Sequence, residues 1–198
     1  PIHEDYLLNG KLEKTNESYA IAKIAGIKMV QAYRKQYNCD FISLMPTNLY
    51  GENDNFHLYN SHVVPALIKK IYYAKKKNLK SVSLWGTGHP KRDLLYVGDL
   101  VDAIILLAKK YSKAEPVNIG SGREITISNL AKMIAKFIKY DGKIIFDSKF
   151  PNGTMRKVLN INKIRKYGWK SKTSLEKGLD LTIKWFLKNE KKIQYSNN

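Results

Sequence analysis

Cysteine is almost missing from this chain. Cys39 is the only one in 198 residues, which excludes an internal disulfide framework and leads us to expect a reducing compartment, the cytoplasm. Long hydrophobic runs are missing too. No apolar stretch approaches the ~20 residues of a bilayer-crossing helix, and no secretory-signal pattern is read. A complete glycine fingerprint is also lacking. Gly120 and Gly122 form a pair near a predicted strand end, but no third glycine follows at the Gly-x-Gly-x-x-Gly spacing that cradles a dinucleotide pyrophosphate. Acidic residues are scarce, at 17 against 35 lysines and arginines, for a net charge of +18.

Hydrophobic residues make up 43% of the chain, enough for a sizeable core and too many for wholesale disorder. The basic excess raises the question of nucleic acid, because phosphate backbones attract such surfaces. Its distribution answers otherwise. Lysines run from Lys11 to Lys192, and the densest group, Lys75, Lys76, Lys77 and Lys80 after Lys69 and Lys70, reads as a solvated helix face. Lys188, Lys191 and Lys192 read as a solvated tail. We expect neither a nucleic-acid nor a membrane partner.

Hydrophobic periodicity predicts helices over 18–37, 61–77, 97–111, 127–138 and 174–188. Ala22, Ile24, Ala25, Ile27, Met29, Val30 and Tyr33 give the first of these a broad apolar face. Short strands are predicted over 41–45, 82–85, 93–97, 116–119 and 143–146, with loops at 1–16 and 151–157. Strands alternating with helices indicate an α/β architecture with a parallel component.

Tyr19 and Lys23 stand four residues apart at the start of the first helix, which puts both side chains on one face. A phenol alone is a poor proton donor or base at neutral pH. A neighbouring ammonium favours the phenolate, so the two can exchange a proton as a unit. Such a pair also occurs on many surface helices, and the motifs around it carry more weight. Glu17-Ser-Tyr-Ala-Ile-Ala-Lys-Ile-Ala-Gly26 is followed by Met45-Pro-Thr-Asn-Leu-Tyr-Gly51, Asp54-Asn-Phe-His57 and Asn60-Ser-His-Val-Val-Pro65. Then come Trp85-Gly-Thr-Gly88, Arg92-Asp-Leu-Leu-Tyr-Val97 and Asn118-Ile-Gly-Ser-Gly122.

This succession resembles the extended short-chain dehydrogenase/reductases. Within them it resembles the NADPH-dependent epimerase–reductases acting on GDP-4-keto-6-deoxy-mannose, from about Pro1 to Lys188. The resemblance implies the C-terminal part of a Rossmann-type parallel sheet plus a small α/β substrate-binding domain. Residues 1–60 and about 92–120 would belong to the NADP-binding part, and about 61–91 and 121–198 to the substrate domain. Tyr19 would protonate the sugar C4 oxygen. Lys23 would tune Tyr19 and hydrogen-bond the nicotinamide ribose. Pro46, Thr47, Asn48 and Leu49 would line the nicotinamide side, with His62 close to it. His62 would also reprotonate the sugar during epimerisation, which suits a side chain that titrates near neutrality. As a bare residue, His62 reads more often as a polar helix N-terminus than as a catalyst.

The diphosphate would be held by Lys70, where the family usually has Arg, with Arg92 and Lys157. Trp85 would line the nucleotide-sugar site, or else be a core tryptophan on a buried strand. Arg156 and Asn152 fall in the family's substrate loop. Cys39 reads as a small packed residue, and His3, His57 and His89 as loop residues whose spacing fits no metal site. The Tyr-x-x-x-Lys helix, around which Ile24, Ile27, Lys28, Gln31 and Lys35 continue, would contribute to a homodimer. The resemblance also implies that the glycine-rich loop, a catalytic serine and an epimerisation cysteine precede Pro1. That would make the chain the C-terminal portion of a longer enzyme, inactive alone. Two other functions fit less of the sequence: another nucleotide-sugar epimerase or dehydratase, and a non-catalytic basic binding module.

Overall fold

The computed structural model describes residues 1–57 and 60–195. The N-terminal loop carries two short 3-10 turns, Glu4–Tyr6 and Lys14–Asn16. Helix α1 follows at Glu17–Tyr37 and stops at Asn38, whose left-handed conformation (φ 53°) breaks the helix. Strands β1 (Leu44–Pro46) and β2 (Asn48–Tyr50) lead to α2 (Val63–Lys76). Next come β3 (Ser81–Trp85), β4 (Lys91–Arg92), β5 (Leu94–Tyr96) and α3 (Val97–Lys110). Strands β6 (Val117–Ile119) and β7 (Ile125–Thr126), helix α4 (Ile127–Ile138) and strand β8 (Lys143–Asp147) follow. The chain continues through β9 (Arg156–Lys157), α5 (Asn162–Lys166) and α6 (Leu175–Tyr195).

The pairing is mostly parallel. β1 pairs with β6, β2 with β5 and β3 with β8, each in parallel. β4 takes β7 antiparallel on one side and β9 parallel on the other. This is the α/β class with crossover helices that the alternating pattern predicts. Pro65 is tolerated in the first turn of α2, where its missing N–H has no intrahelical acceptor to satisfy. α4 begins at Thr126, whose Oγ1 accepts the Asn129 N–H at 3.1 Å.

Three expectations need correction, and a fourth observation bears on α1. The first strand starts at Leu44 rather than Phe41, and Phe41 is exposed. The segment 151–157 ends in a strand, β9, because its backbone pairs with β4. The lysines after position 187 sit on a helix that runs to Tyr195, not on a tail. The apolar face of α1 is not buried: none of its residues is, and Met29 remains 60% exposed.

Two apolar clusters form the core. The larger brings Val64, Leu67, Ile68 and Ile71 of α2 against Leu130 and Ile134 of α4 and Leu179, Ile183 and Phe186 of α6, beneath Val82 and Leu84 of β3. The smaller gathers Leu95, Ala103, Leu107, Val117, Ile119, Ile164 and Trp169. In β3 the residues alternate between core and surface, so Val82 and Leu84 point inward while Trp85 points out.

Asp93 sits between β4 and β5 with no solvent exposure. Its carboxylate accepts the Ser121 N–H at 3.0 Å, the Ser121 hydroxyl at 2.6 Å and the Gly122 N–H at 3.4 Å. Its carbonyl accepts the Thr47 hydroxyl at 3.0 Å. Burial pushes its pKa above the usual carboxylate value, against the pull of the Ser121 and Gly122 bonds. Gly120 is required beside it, because a Cβ there would collide with Oδ2 of Asp93. Asp93→Ala removes the buried acceptor of the Ser121 and Gly122 donors. We expect a loss of about 1–3 kcal/mol, read from the urea midpoint; an unchanged midpoint would mean the Gly120–Gly122 turn finds other acceptors.

Candidate active site

A cavity of roughly 780 Å³ opens beside β1 and β2. Its wall includes Tyr19 from the first turn of α1, the run Pro46, Thr47, Asn48 and Leu49, His62 at the start of α2, and Lys157 from β9. These residues lie up to 138 positions apart in sequence, from Tyr19 to Lys157. Each is placed by an element end. Tyr19 follows the cap of α1. His62 is the N-cap of α2 and makes no side-chain capping bond, so its ring is free to face the cavity. Thr47 is fixed by its hydrogen bond to Asp93 and by its N–H to the Ile119 carbonyl at 2.8 Å.

The spacing argument holds for Tyr19 and Lys23. The Lys23 ammonium lies over the Tyr19 ring, 5.3 Å from its centroid, as neighbours one turn apart should. Tyr19 lines the cavity, while Lys23 stands behind it and is not part of the wall.

The cavity also has members that sequence reasoning missed. Glu52 accepts the Tyr96 hydroxyl on both carboxylate oxygens, at 3.0 and 2.8 Å. Burial and this carboxylate push the Tyr96 phenol up to about 12. Asp54 follows Asn53, which adopts a left-handed φ of 63°. Its carboxyl is raised by burial, while the Asn55 N–H at 2.7 Å and the charge of His62 pull it back. The loop beyond is held by its own side chains: Asn55 Oδ1 accepts the His57 N–H, and Asn55 Nδ2 donates to the Asn60 carbonyl. Glu52 was visible only as a polar letter in a loop and Asp54 only as the start of the Asp54-Asn-Phe-His57 motif; no spacing rule gave either a role. Among the described residues, the buried Asn48 Nδ2 and Asp54 Oδ2 have no hydrogen-bond partner. An unsatisfied buried donor on a cavity wall calls for an acceptor from a ligand.

A second group of predicted residues lies along β3, β4 and β9. The Lys70 ammonium sits 4.5 Å from the centroid of the Trp85 ring. Trp85 is 50% exposed, so it is not the core tryptophan that was the alternative reading. Arg92 and Lys157 are register partners across β4 and β9. Arg92 donates to the backbone carbonyls of Lys91 and Thr154, at 2.9 and 2.6 Å. Asn152 accepts the Thr87 N–H and hydroxyl, at 2.7 and 3.0 Å, which ties the loop before β9 to the turn after β3.

The charges around this group are sorted. Lys91 and Arg156 both pair with Glu124, at 3.0 and 2.7 Å. Lys70, Arg92 and Lys157 have no carboxylate partner among the described residues. Burial lowers the pKa of both Lys70 and Arg92. Partly desolvated cations without a counter-charge form an anion-binding surface. Among the described residues no cluster of metal-ligating side chains is found, and no helix is long and apolar enough to cross a membrane.

The chain is similar to known proteins along nearly its whole length. The chain is 53% identical to a probable GDP-L-fucose synthase 1 of Oryza sativa over 189 residues, which is 96% of this chain and 58% of the rice protein. It is 44% identical to the GDP-L-fucose synthase of Escherichia coli, covering 98% of this chain and 63% of that one. The chain thus spans about three fifths of the length of these relatives. Among solved structures, a GDP-L-fucose synthetase from Naegleria fowleri bound to NADP superposes with a TM-score of 0.91 at 28% identity. That match covers 96% of this chain and 62% of the other. Residues 1–120 match the model of the NAD dependent epimerase/dehydratase family. With the parallel strands, the match over 120 of 198 residues settles the family: this chain belongs to the NAD dependent epimerase/dehydratases.

Proposed function

We propose that these residues serve an NADPH-dependent epimerase–reductase that converts GDP-4-keto-6-deoxy-D-mannose to GDP-L-fucose. The observation that carries this reading is the convergence of Tyr19, Asn48, His62 and Lys157 on one cavity, beside cations that lack counter-charges. The relatives named GDP-L-fucose synthase support the substrate class, and the Naegleria fowleri structure bound to NADP supports the cofactor.

The residues present fit a dinucleotide, since the unpartnered Asn48 Nδ2 on the cavity wall is a donor that a nicotinamide or ribose oxygen would satisfy. Lys23, Pro46, Thr47, Asn48, Leu49 and His62 would hold that end. NADPH, when bound, supplies the hydride for the C4 carbonyl. Tyr19 Oη gives its proton to the C4 oxygen, and the Lys23 ammonium stabilises the phenolate left behind. His62 delivers a proton to the carbon next to the carbonyl, where acidity α to a ketone makes inversion accessible. Lys70, Arg92 and Lys157 neutralise the diphosphate, and Trp85 borders the nucleotide sugar. Residues 1–60 and about 92–120 would form the cofactor part, with about 61–91 and 121–198 serving the substrate. The exposed apolar stripe of α1, with Ile21 at 54% and Met29 at 60% exposure, supports a second copy packing there as a homodimer.

The test is turnover of GDP-4-keto-6-deoxy-mannose with NADPH by the full-length protein carrying these residues, followed by NADPH consumption and product identification. Tyr19→Phe should lower kcat by about 10²-fold or more; selective turnover of a UDP-sugar instead would replace this reading with another epimerase. Arg92→Ala should raise KM for the GDP-sugar roughly 10- to 100-fold, as loss of a charge-assisted phosphate contact does. An unchanged KM would remove Arg92 from the diphosphate site. Sedimentation of the full-length protein should show a dimer that Met29→Glu weakens, and a strict monomer would contradict the α1 interface.

A further inference from the structure

The ring of Phe150 stacks on that of Trp85, with centroids 4.7 Å apart and planes within 10°. Both rings are largely open to solvent, Trp85 at 50% and Phe150 at 40% exposure. Two exposed aromatic rings stacked in nearly parallel planes are a costly surface for a protein to leave uncovered. The pair is not a chance contact of a loose loop. Upstream, Asp147 holds the chain: its carbonyl accepts the Gly86 N–H at 2.9 Å and the Phe150 N–H at 3.3 Å, and its Oδ1 accepts the Lys149 N–H at 3.0 Å. Downstream, Asn152 is fixed to Thr87, and the Thr154 carbonyl to Arg92. Phe150 is therefore presented from a short span pinned at both ends.

The neighbourhood is cationic and unneutralised. Lys70 lies over the same Trp85 ring, and the loop that carries Phe150 touches Arg92 and runs into Lys157. An aromatic platform beside uncompensated cations matches a ligand with a flat ring joined to phosphates. Base–aromatic stacking is worth enough to matter, and every base has a face to offer.

We propose that Phe150 is a further binding residue that stacks with the planar base of a nucleoside diphosphate, extending the Trp85 platform, while Lys70, Arg92 and Lys157 take the phosphates. This rests on the nucleotide-sugar reading above and adds to it the residue that holds the base end.

The experiment is calorimetric binding of GDP and of inorganic pyrophosphate to the full-length protein carrying these residues, as wild type, Phe150→Leu and Phe150→Tyr. Leucine keeps the apolar bulk and removes the ring; tyrosine keeps the ring. Phe150→Leu should weaken GDP roughly 10- to 100-fold and leave pyrophosphate unchanged, and Phe150→Tyr should bind GDP as the wild type does. GDP affinity unchanged in Phe150→Leu would overturn the proposal and leave the nucleotide-sugar reading standing. Equal losses for GDP and pyrophosphate would overturn it too, by showing that Phe150 only shapes the loop around the cations. Failure of the wild type to bind GDP, with or without pyrophosphate binding, would overturn the nucleotide-sugar reading and the proposal with it.

Discussion

The buried carboxylate of Asp93 is the contact on which the arrangement of this protein depends. From one position between β4 and β5 it takes the Ser121 N–H and hydroxyl and the Gly122 N–H, while its own carbonyl takes the Thr47 hydroxyl. Three separate stretches are thereby locked together: the run that lines the cavity, the strands that lead to Arg92, and the Gly120–Gly122 turn. A residue without acceptor oxygens would strand the Ser121 and Gly122 donors, and a larger one would not fit against Gly120. The burial that raises its pKa is the energetic cost of that placement, offset by the bonds it accepts.

A second organising principle is how positive charge is distributed. A net charge of +18 says little alone, because most lysines stand on solvated faces. What marks the candidate site is which of its own cations are neutralised and how far they are buried. Glu124 binds Lys91 and Arg156, while Lys70, Arg92 and Lys157 on neighbouring elements are left without carboxylates. Lys70 and Arg92 are moreover partly desolvated, unlike the lysines on solvated faces. The extended α1 shows the same economy of contacts in apolar form, since its polar side chains Gln31 and Arg34 tie it to Ala114, Phe41 and Ser112 and leave its apolar stripe uncovered.

Much of this was legible in the sequence where a short-range rule applies. The helices were readable because 3.6-residue periodicity is imposed by burial of one face, as in Val64, Leu67, Ile68 and Ile71. α4 was bounded correctly because Thr126 is a chemically specific cap. The outward direction of Trp85 was implicit in the alternation of β3, although the residue alone could not say so. The two-residue strands β4, β7 and β9 were not legible. Segments so short have no period, and they become strands only when a distant backbone pairs with them. α1 shows the opposite case: its apolar pattern was readable, but a pattern does not say whether the partner lies within the same chain.

By itself the sequence determined the class of the fold, the helix faces and the pairing of Tyr19 with Lys23. All of these follow from interactions within a few residues, where spacing and geometry are the same thing. Only the tertiary structure decided that Tyr19, Asn48, His62 and Lys157 share one cavity, that Asp54 and Glu52 join them, and that Phe150 lies on Trp85. Those groupings join positions up to 138 residues apart in the cavity and 65 apart for the Trp85–Phe150 pair. They are set by strand register and by one buried carboxylate, neither of which leaves a local mark on the chain.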